Sequence, residues 1–383
     1  MRVVIAGDYP ADPAYIRGGV EAVLYHTVQA LRHYRDLDVH VLTIESDLPC
    51  DQTVNEDGIT VHRLMAPWPR GNREVLFSPD HYRLGRLLRA LKPDVVHAHG
   101  LDRAYPLVGF SSGAPTLISI HGVAFLERRL EPHRSLKSQL RDWVLTTMEV
   151  ARLRRSQGVF VINPYIRDCY PTLANKKEIF VVENPVEASY FNVVSSEIPG
   201  RILFVGHIDP RKDILLLLKA MAIVCRQVPH AMLHVAGNVR SQEYQAQLYR
   251  YIEQDNLAGN VKFLGRVTNQ ELLDEYGACS VLALSSIEET APVVIGQAMA
   301  AGKPVVSTAV GGIPHMIEEG VTGYLVPGRE VETLAARLIQ VLTDDDLRHA
   351  MGQAARQVAD ARFTPEAAAA RTYAAYQQVA HAA

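Results

Sequence analysis

The stretch SSIEETAPVVIGQAMAAG, Ser285–Gly302, decides how the chain is read. It follows the apolar run "SVLALSS" (280–286), sets two acids side by side at Glu288 and Glu289, and passes through Thr-Ala-Pro into a small apolar segment. Thr290 is a helix-capping residue type, and Pro292 suits a first turn, where its missing N–H costs nothing. Val293 to Ala301 then predicts a buried helix, stopped by Gly302 and Lys303-Pro304. The acids therefore stand just ahead of a helix N-terminus, whose free N–H groups and positive dipole end attract anions. Two readings are open here. The carboxylates complement the dipole, or the helix start holds a phosphate while one carboxylate holds a group attached to it.

The same alternation of apolar strand, turn and helix recurs on both sides. Upstream the predicted strands are "RVVIAG" (2–7), "DVHVLTI" (38–44), "GITVHRL" (58–64), "DVVHAH" (94–99), "PTLISIH" (115–121), "GVFVIN" (158–163) and "EIFVVEN" (178–184). A second series runs through "RILFVG" (201–206), "AMLHVAG" (231–237), "NVKFLG" (260–265), "SVLALSS", "KPVVST" (303–308) and "TGYLVP" (322–327). Continuous apolar strands between helical patterns mean parallel sheets covered on both faces. Two series predict an α/β chain of two doubly wound parallel-sheet domains, residues 1–190 and 198–362, parted near the polar "NVVSSEIPG" (192–200). The Ala-rich tail, 363–383, is strongly helical and is expected to cross back to the first domain. Ligands of open parallel sheets lie beyond the carboxyl ends of the strands, so two facing domains place their site in the cleft between those edges.

Composition narrows the class. The 383 residues suit two cores rather than one. A net charge of −3 disfavours nucleic acid as a partner. The four cysteines, Cys50, Cys169, Cys225 and Cys279, form no C-x-x-C pair, which argues against a zinc site or a disulfide framework and fits a reduced, cytoplasmic chain. "VVIAG" is too short for a signal peptide, and no stretch approaches the length of a membrane span.

Residues with chemical potential cluster just after strands. Gly18-Gly19 opens a helix and lets backbone approach a ligand, although G-x-G-x-x-G is missing and, taken alone, such a pair is more often turn chemistry than a site. His121-Gly122 ends a strand facing the cleft, and a hydrogen-bonded loop histidine is an equal reading. His97 and His99 alternate on one strand and point the same way; hydrogen bonding is favoured over metal ligation, because no carboxylate or Cys accompanies them. Arg211 and Lys212 precede an apolar helix, where two cations suit a diphosphate and are out of place without an anion. "AVGGIPHMI" (309–317) is another Gly-rich turn, and the Asp36–Asp38 pair is surface turn chemistry. Segment 127–155 has eight Arg/Lys against four Asp/Glu, with Leu136, Leu140, Trp143, Val144 and Met148 at helical spacing. Contact with an anionic membrane surface is one reading; an ordinary helix with that apolar side in the core is the favoured one.

Together these motifs are recognisable. "VGHIDPRKDILLLLKA", "IEETAPVVIGQAMAAGKPVVSTAVGGIP" and "EEGVTGYLVPG", with "ENPVEASYF", "DVVHAHG", "SIHG" and the early Gly-Gly, resemble the retaining glycosyltransferases of family 4 over nearly the whole chain. The resemblance implies the GT-B fold, two Rossmann-like domains facing across a cleft. It implies a UDP-, GDP- or other nucleoside-diphosphate sugar as donor, no metal and no further cofactor. The first domain would take the acceptor, whether small molecule, lipid-linked or saccharide, with choice set by loops at about 66–80 and 122–138. By the resemblance, Glu289 binds hydroxyls of the donor sugar, and Thr290, Ala291, Val293 and Val294 at the helix start take sugar and diphosphate. Lys212 binds phosphate, Gly18 and Gly19 lie near the diphosphate, His121 contacts the transferring sugar, and Arg266 lies beside the base; Arg211, read from its own position beside Lys212, is expected to help it with the diphosphate.

Three positions depart from the family pattern. Gln297 stands where a second Glu, eight residues after the first, grips the ribose. His207 replaces an Arg that pairs with Lys212, and His315 replaces a Glu after the Gly-Gly-hydrophobe-Pro turn. Gln297 still bonds hydroxyls and, at 1.5 Å per residue along the helix, sits at roughly the phosphate-to-ribose distance. The expected activity is sugar transfer with retention. The alternatives are a nucleotide-sugar epimerase on the same fold and a non-catalytic binding protein.

Overall fold

The computed structural model describes residues 1–12, 16, 18–45, 48–65, 79–101, 105–123, 125–126, 135–176 and 178–382. Residues 66–78 and 127–134, which carry much of the loops expected to choose the acceptor, lie outside the described residues. The chain forms two compact units, Met1–Pro185 joined by Pro365–Ala383, and Val186–Thr364.

Among the described residues the first unit is built on one sheet of eight strands: β1 (Arg2–Ala6), β2 (Asp38–Glu45), β3 (Gln52–Glu56), β4 (Ile59–Met65), β5 (Val95–His99), β6 (Thr116–Ile120), β7 (Gly158–Val161) and β8 (Glu178–Val181). Their order across the sheet is β3-β4-β2-β1-β5-β6-β7-β8. Every pairing is parallel except β3 with β4. The alternation along β1 shows why parallel strands read as unbroken apolar runs. Val3 and Ile5 face a core closed by Leu24, Val28 and Leu31 of the helix Gly19–Leu31 and by Tyr376 of the terminal helix. Val4 and Ala6 face the opposite core, with Leu84, Leu88 and Tyr105.

The terminal helix, Pro365–Ala382, belongs to this first unit. Buried Ala368, Ala369 and Ala375 let its backbone come close. Tyr373 stacks on Tyr34 with ring centroids 4.3 Å apart, and Arg371 pairs with Glu183.

The second unit holds a six-stranded, fully parallel sheet: β9 (Arg201–Val205), β10 (Met232–Ala236), β11 (Val261–Gly265), β12 (Val281–Leu284), β13 (Val305–Thr308) and β14 (Gly323–Val326). The order β11-β10-β9-β12-β13-β14 reverses between β9 and β12. The carboxyl edge at such a reversal is where an open sheet leaves a crevice. The polar stretch 192–200 lies inside this unit, where the Ser196 and Ile198 N–H groups donate to the carbonyls of Gly277 and Ala278.

Two local expectations need correction. The helix after the paired acids runs Val293–Ala300, and its cap position is Pro292 rather than Thr290, without a side-chain cap. The cause lies upstream: the Glu289 carbonyl accepts from Gly312 N–H at 2.9 Å, which holds the chain in a turn until Pro292. The second correction concerns the helix Leu136–Arg155. Its apolar row does not enter the core: Leu136, Leu140, Trp143 and Val144 are 84%, 63%, 67% and 39% exposed.

Candidate functional site

The chain leaves β9 through "GHIDPRKD" and makes a single tight turn, Pro210–Lys212. Asp209 starts that turn by accepting from the Lys212 N–H at 3.2 Å. Asp213 ends it in the left-handed region, φ 43°, which short polar side chains tolerate better than most. The helix Ile214–Gln227 follows. This sharp exit turns Lys212 back over the sheet edge toward the next strand.

That next strand is β12, and the two exits are stitched together by one side-chain and one backbone hydrogen bond. Ser285 Oγ donates to the Lys212 carbonyl at 3.0 Å, and Ile287 N–H donates to the Arg211 carbonyl at 2.8 Å. Lys212 Nζ and Glu289 Oε1 consequently form an ion pair, with Lys212 8% and Glu289 6% exposed. Ser286 Oγ donates to the same carboxylate oxygen at 2.8 Å. Arg211 Nη1 lies 3.5 Å from Glu289 Oε2 and donates to the Glu288 carbonyl at 3.0 Å. The anion that balances two cations ahead of a helix is thus supplied by the protein itself.

The β13 exit closes the other side. Gly311 has φ 54°, and a Cβ on it would come within 1.9 Å of the Glu289 carbonyl oxygen, so only glycine fits there. Thr290 is buried, while Ala291, Val293 and Val294 are half-buried around the start of the helix Val293–Ala300. Gln297 lies on the same helix, and its Oε1 accepts from the Tyr276 hydroxyl at 3.1 Å. Tyr276 also donates to the Val294 carbonyl at 3.2 Å. Burial holds the Tyr276 phenol well above its ordinary range, so it stays a donor.

Other expected residues sit farther out. Arg266 is exposed just after β11, two strands from β9. His207 follows β9, and burial first, then the charge of Arg240, holds it below the ordinary histidine range. It is neutral near pH 7 and adds no permanent cation. His315 is exposed, and its carbonyl accepts from Arg362.

In the first unit, Gly18 caps the helix Gly19–Leu31 with extended backbone, φ −178°, and a Cβ there would meet nothing within 4 Å. Neither conformation nor packing demands glycine at 18. His121 follows β6, with Nε2 2.8 Å from His99 Nδ1. His97 is held by Tyr376 and Ser119 at 2.6 and 2.7 Å, which accounts for both its ring nitrogens. Among the described residues no group of three His, Cys, Asp or Glu is placed to hold a metal ion.

Residues 17–190 match the model for Glycosyltransferase Family 4, and residues 189–358 match that for Glycosyl transferases group 1. The chain belongs to the group 1 and family 4 glycosyltransferases. Among curated members, the D-inositol 3-phosphate glycosyltransferase of Kribbella flavida is 37% identical over 185 residues, 46% of this chain. That match spans 43% of the relative's own length. Among solved structures, a sucrose-phosphate synthase from Thermosynechococcus elongatus superposes with a TM-score of 0.76 at 20% identity, over 100% of both chains. HepE of Anabaena, solved in complex with UDP, gives 0.74 at 19% identity, over 99% of this chain and 100% of that one. The fold of this glycosyltransferase is therefore GT-B, with two parallel-sheet α/β domains. The structure brings together Lys212, Arg211 and Glu289, which the sequence reading singled out as charges in the turns between strand and helix. That reading did not single out Ser286, at the exit of β12, or Tyr276, on the helix Asn269–Ala278, because neither carries a local signal.

Proposed function

We propose that the protein is a retaining glycosyltransferase that moves a sugar from a nucleoside-diphosphate sugar to an acceptor hydroxyl. The observation that carries this reading is the Lys212–Glu289 pair, braced by Arg211 and Ser286 where the second sheet reverses its strand order. The resemblance of the motifs to family 4, and the UDP bound by the structurally similar HepE, support a nucleotide-sugar donor. One of the three Lys212 protons goes to Glu289, leaving two for phosphate oxygens. Glu289 Oε2 remains to accept from sugar hydroxyls. The Val293–Ala300 helix start faces the diphosphate, Gln297 the ribose, and Arg266 the base. In the first unit His121 contacts the sugar, Gly18 and Gly19 leave room near the diphosphate, and this unit holds the acceptor.

In the transfer the bond from the anomeric carbon to the phosphate oxygen breaks, and a bond to the acceptor oxygen forms on the same face. The departing phosphate takes the acceptor's proton, so no second carboxylate is required. Lys212 and Arg211 stabilise the charge that develops on the leaving group, an electrostatic role that needs no metal.

The test is to offer UDP and GDP sugars with alcohol and saccharide acceptors and to read both products. Nucleoside diphosphate released together with a glycoside of the donor's anomeric configuration is expected, also in excess chelator. Conversion of donor without acceptor would identify an epimerase. Nucleotide binding without turnover would identify a binding protein.

The exposed apolar row on Leu136–Arg155, with Arg141, Arg154 and Arg155 on the same helix, supports peripheral contact with an anionic membrane surface as part of this reading. Among the described residues no helix is long and apolar enough to cross a membrane.

A further inference from the structure

His97 and His99 alternate on β5 and lean to one side of the sheet, and His121 follows the neighbouring β6. The imidazoles of His99 and His121 lie nearly parallel, at 21° with centroids 5.0 Å apart, joined by the 2.8 Å contact between His99 Nδ1 and His121 Nε2. Their outer nitrogens, His99 Nε2 and His121 Nδ1, are buried and have no hydrogen-bond partner among the described residues. Both rings line a cavity of about 20 Å³ shared with Val23, Thr27, Ser119 and Asn184. A space of that size holds one small polar group, such as a water or a hydroxyl.

Burial holds His121 down to about 4 and His99 well below the ordinary histidine range, so both rings are neutral near pH 7. Two neutral imidazoles carry two N–H groups on four nitrogens. One N–H must lie in the contact between the rings. If it belongs to His99 Nδ1, then His121 carries its own proton on Nδ1 and His99 Nε2 is bare. If it belongs to His121 Nε2, then His99 carries its proton on Nε2 and His121 Nδ1 is bare. Both rings are therefore Nδ1–H together or Nε2–H together. The outer pair always offers one donor and one acceptor, which is what a hydroxyl needs.

We propose that His99 is a positioning residue for His121: through their shared hydrogen bond it ties the protonated nitrogen of His121 to its own, and so sets how the pair meets a hydroxyl of the transferred sugar. The consequence for transfer rests on the reading that His121 touches that sugar; the matched tautomers do not.

The experiment is long-range proton–nitrogen NMR of the full chain labelled with ¹⁵N-histidine, with His121→Asn and His99→Asn used for assignment, alongside donor kinetics and melting midpoints. In the wild type both rings are expected in the same neutral tautomer. His99→Leu should leave His121 as a mixture of tautomers and lower kcat/KM about tenfold, the worth of one hydrogen bond. His99→Asn, whose carboxamide can replace the Nδ1 contact toward either His121 tautomer, should restore the hydrogen bond to His121 Nε2 and most of the activity. If His99→Leu does not fold, the wild-type and His99→Asn spectra decide the matter. Opposite tautomers, a charged ring near pH 7, or an unaltered His121 signal in His99→Leu would overturn the coupling. Matched tautomers with unaltered kinetics in His99→Leu would overturn the positioning role. Should no donor be turned over at all, the functional reading fails, while the spectra still answer for the pair.

Discussion

Lys212 Nζ and Glu289 Oε1 are ion-paired at the reversal point of the second sheet, each contributed by the exit of a different strand and each more than nine-tenths buried. Burying two charges is tolerable only while both are present, because removing one strands the other without water. Lys212→Ala and Glu289→Ala should each lower unfolding stability by roughly 3–5 kcal/mol. The double variant should lose clearly less than the sum, because it leaves neither charge stranded. Arg211, with its nearest guanidinium nitrogen 3.5 Å from Glu289 Oε2, softens the Lys212→Ala loss but cannot replace the bond. Turnover should fall by orders of magnitude in both single variants. Urea midpoints of the three variants check the coupling; strictly additive losses would show that the pair is only a neighbourly contact.

Gln297 is held by Tyr276, and this predicts how its carboxamide serves a ribose. With Oε1 accepting from the phenol, the NH₂ group is left to donate and the oxygen is partly spent. Gln297→Glu supplies a charged acceptor for two hydroxyls while keeping the Tyr276 bond. Nucleotide affinity should rise about fivefold, near 1 kcal/mol. Tyr276→Phe frees the carboxamide and should raise the donor KM about threefold with kcat nearly unchanged. Calorimetry with the nucleoside diphosphate reads both. Unchanged or weaker binding by Gln297→Glu would remove Gln297 from the ribose.

These two residues also show how far the sequence could be read. The strands of both sheets were legible because parallel strands buried on two faces are unbroken apolar runs; β1, with Val3 and Ile5 in one core and Val4 in the other, is the clearest case. β3 was not legible, because an exposed antiparallel edge strand, Gln52–Glu56, has no face to bury and hence no pattern. Lys212 and Glu289 stood out as charges in the turns between strand and helix. Tyr276 did not, because it lies on the helix Asn269–Ala278 and meets Gln297 only through the packing of two helices. Thr290 was misjudged as a cap because a bond from Gly312, more than twenty positions along, delays the helix start. Capping preferences are local and cannot register such a contact.

Stability in acid should depend on the buried histidines of the first unit. His97 and His121 are held at about 3 and about 4, chiefly by burial, and His99 also lies well below its ordinary value. Unfolded, each titrates near 6.5. Their contribution is fully present above that value and is lost as pH falls, since the unfolded chain binds the extra protons. The loss runs from about pH 6.5 down to about 4 for His121 and about 3 for His97. Each histidine contributes a slope of about 1.4 kcal/mol per pH unit inside its window. His121→Asn should therefore flatten the dependence of the urea midpoint on pH, between about 6 and 4.5, by close to one proton's worth. Identical slopes for wild type and variant would mean that His121 is already charged in the folded protein.

The row Leu136, Leu140, Trp143 and Val144 makes the last prediction. On a helix, positions four, seven and eight residues after the first share one side. All four side chains are exposed, and Trp143 at 67% is too costly to leave in water without a use. Arg141, Arg154 and Arg155 give the same helix the charge that attracts an anionic surface, each worth about 1 kcal/mol near such a surface. The protein should sediment with vesicles in which about one lipid in three is anionic, and much less with neutral ones. Leu140→Ala with Trp143→Ala should weaken that binding at least tenfold, because each side chain contributes about 1.5–3 kcal/mol when buried in the interface. Stability in solution should hold, since neither side chain is part of a core. Equal binding to neutral and anionic vesicles would defeat the electrostatic part. A concentration-dependent dimer lost in the double variant would assign the row to a second copy of the chain instead.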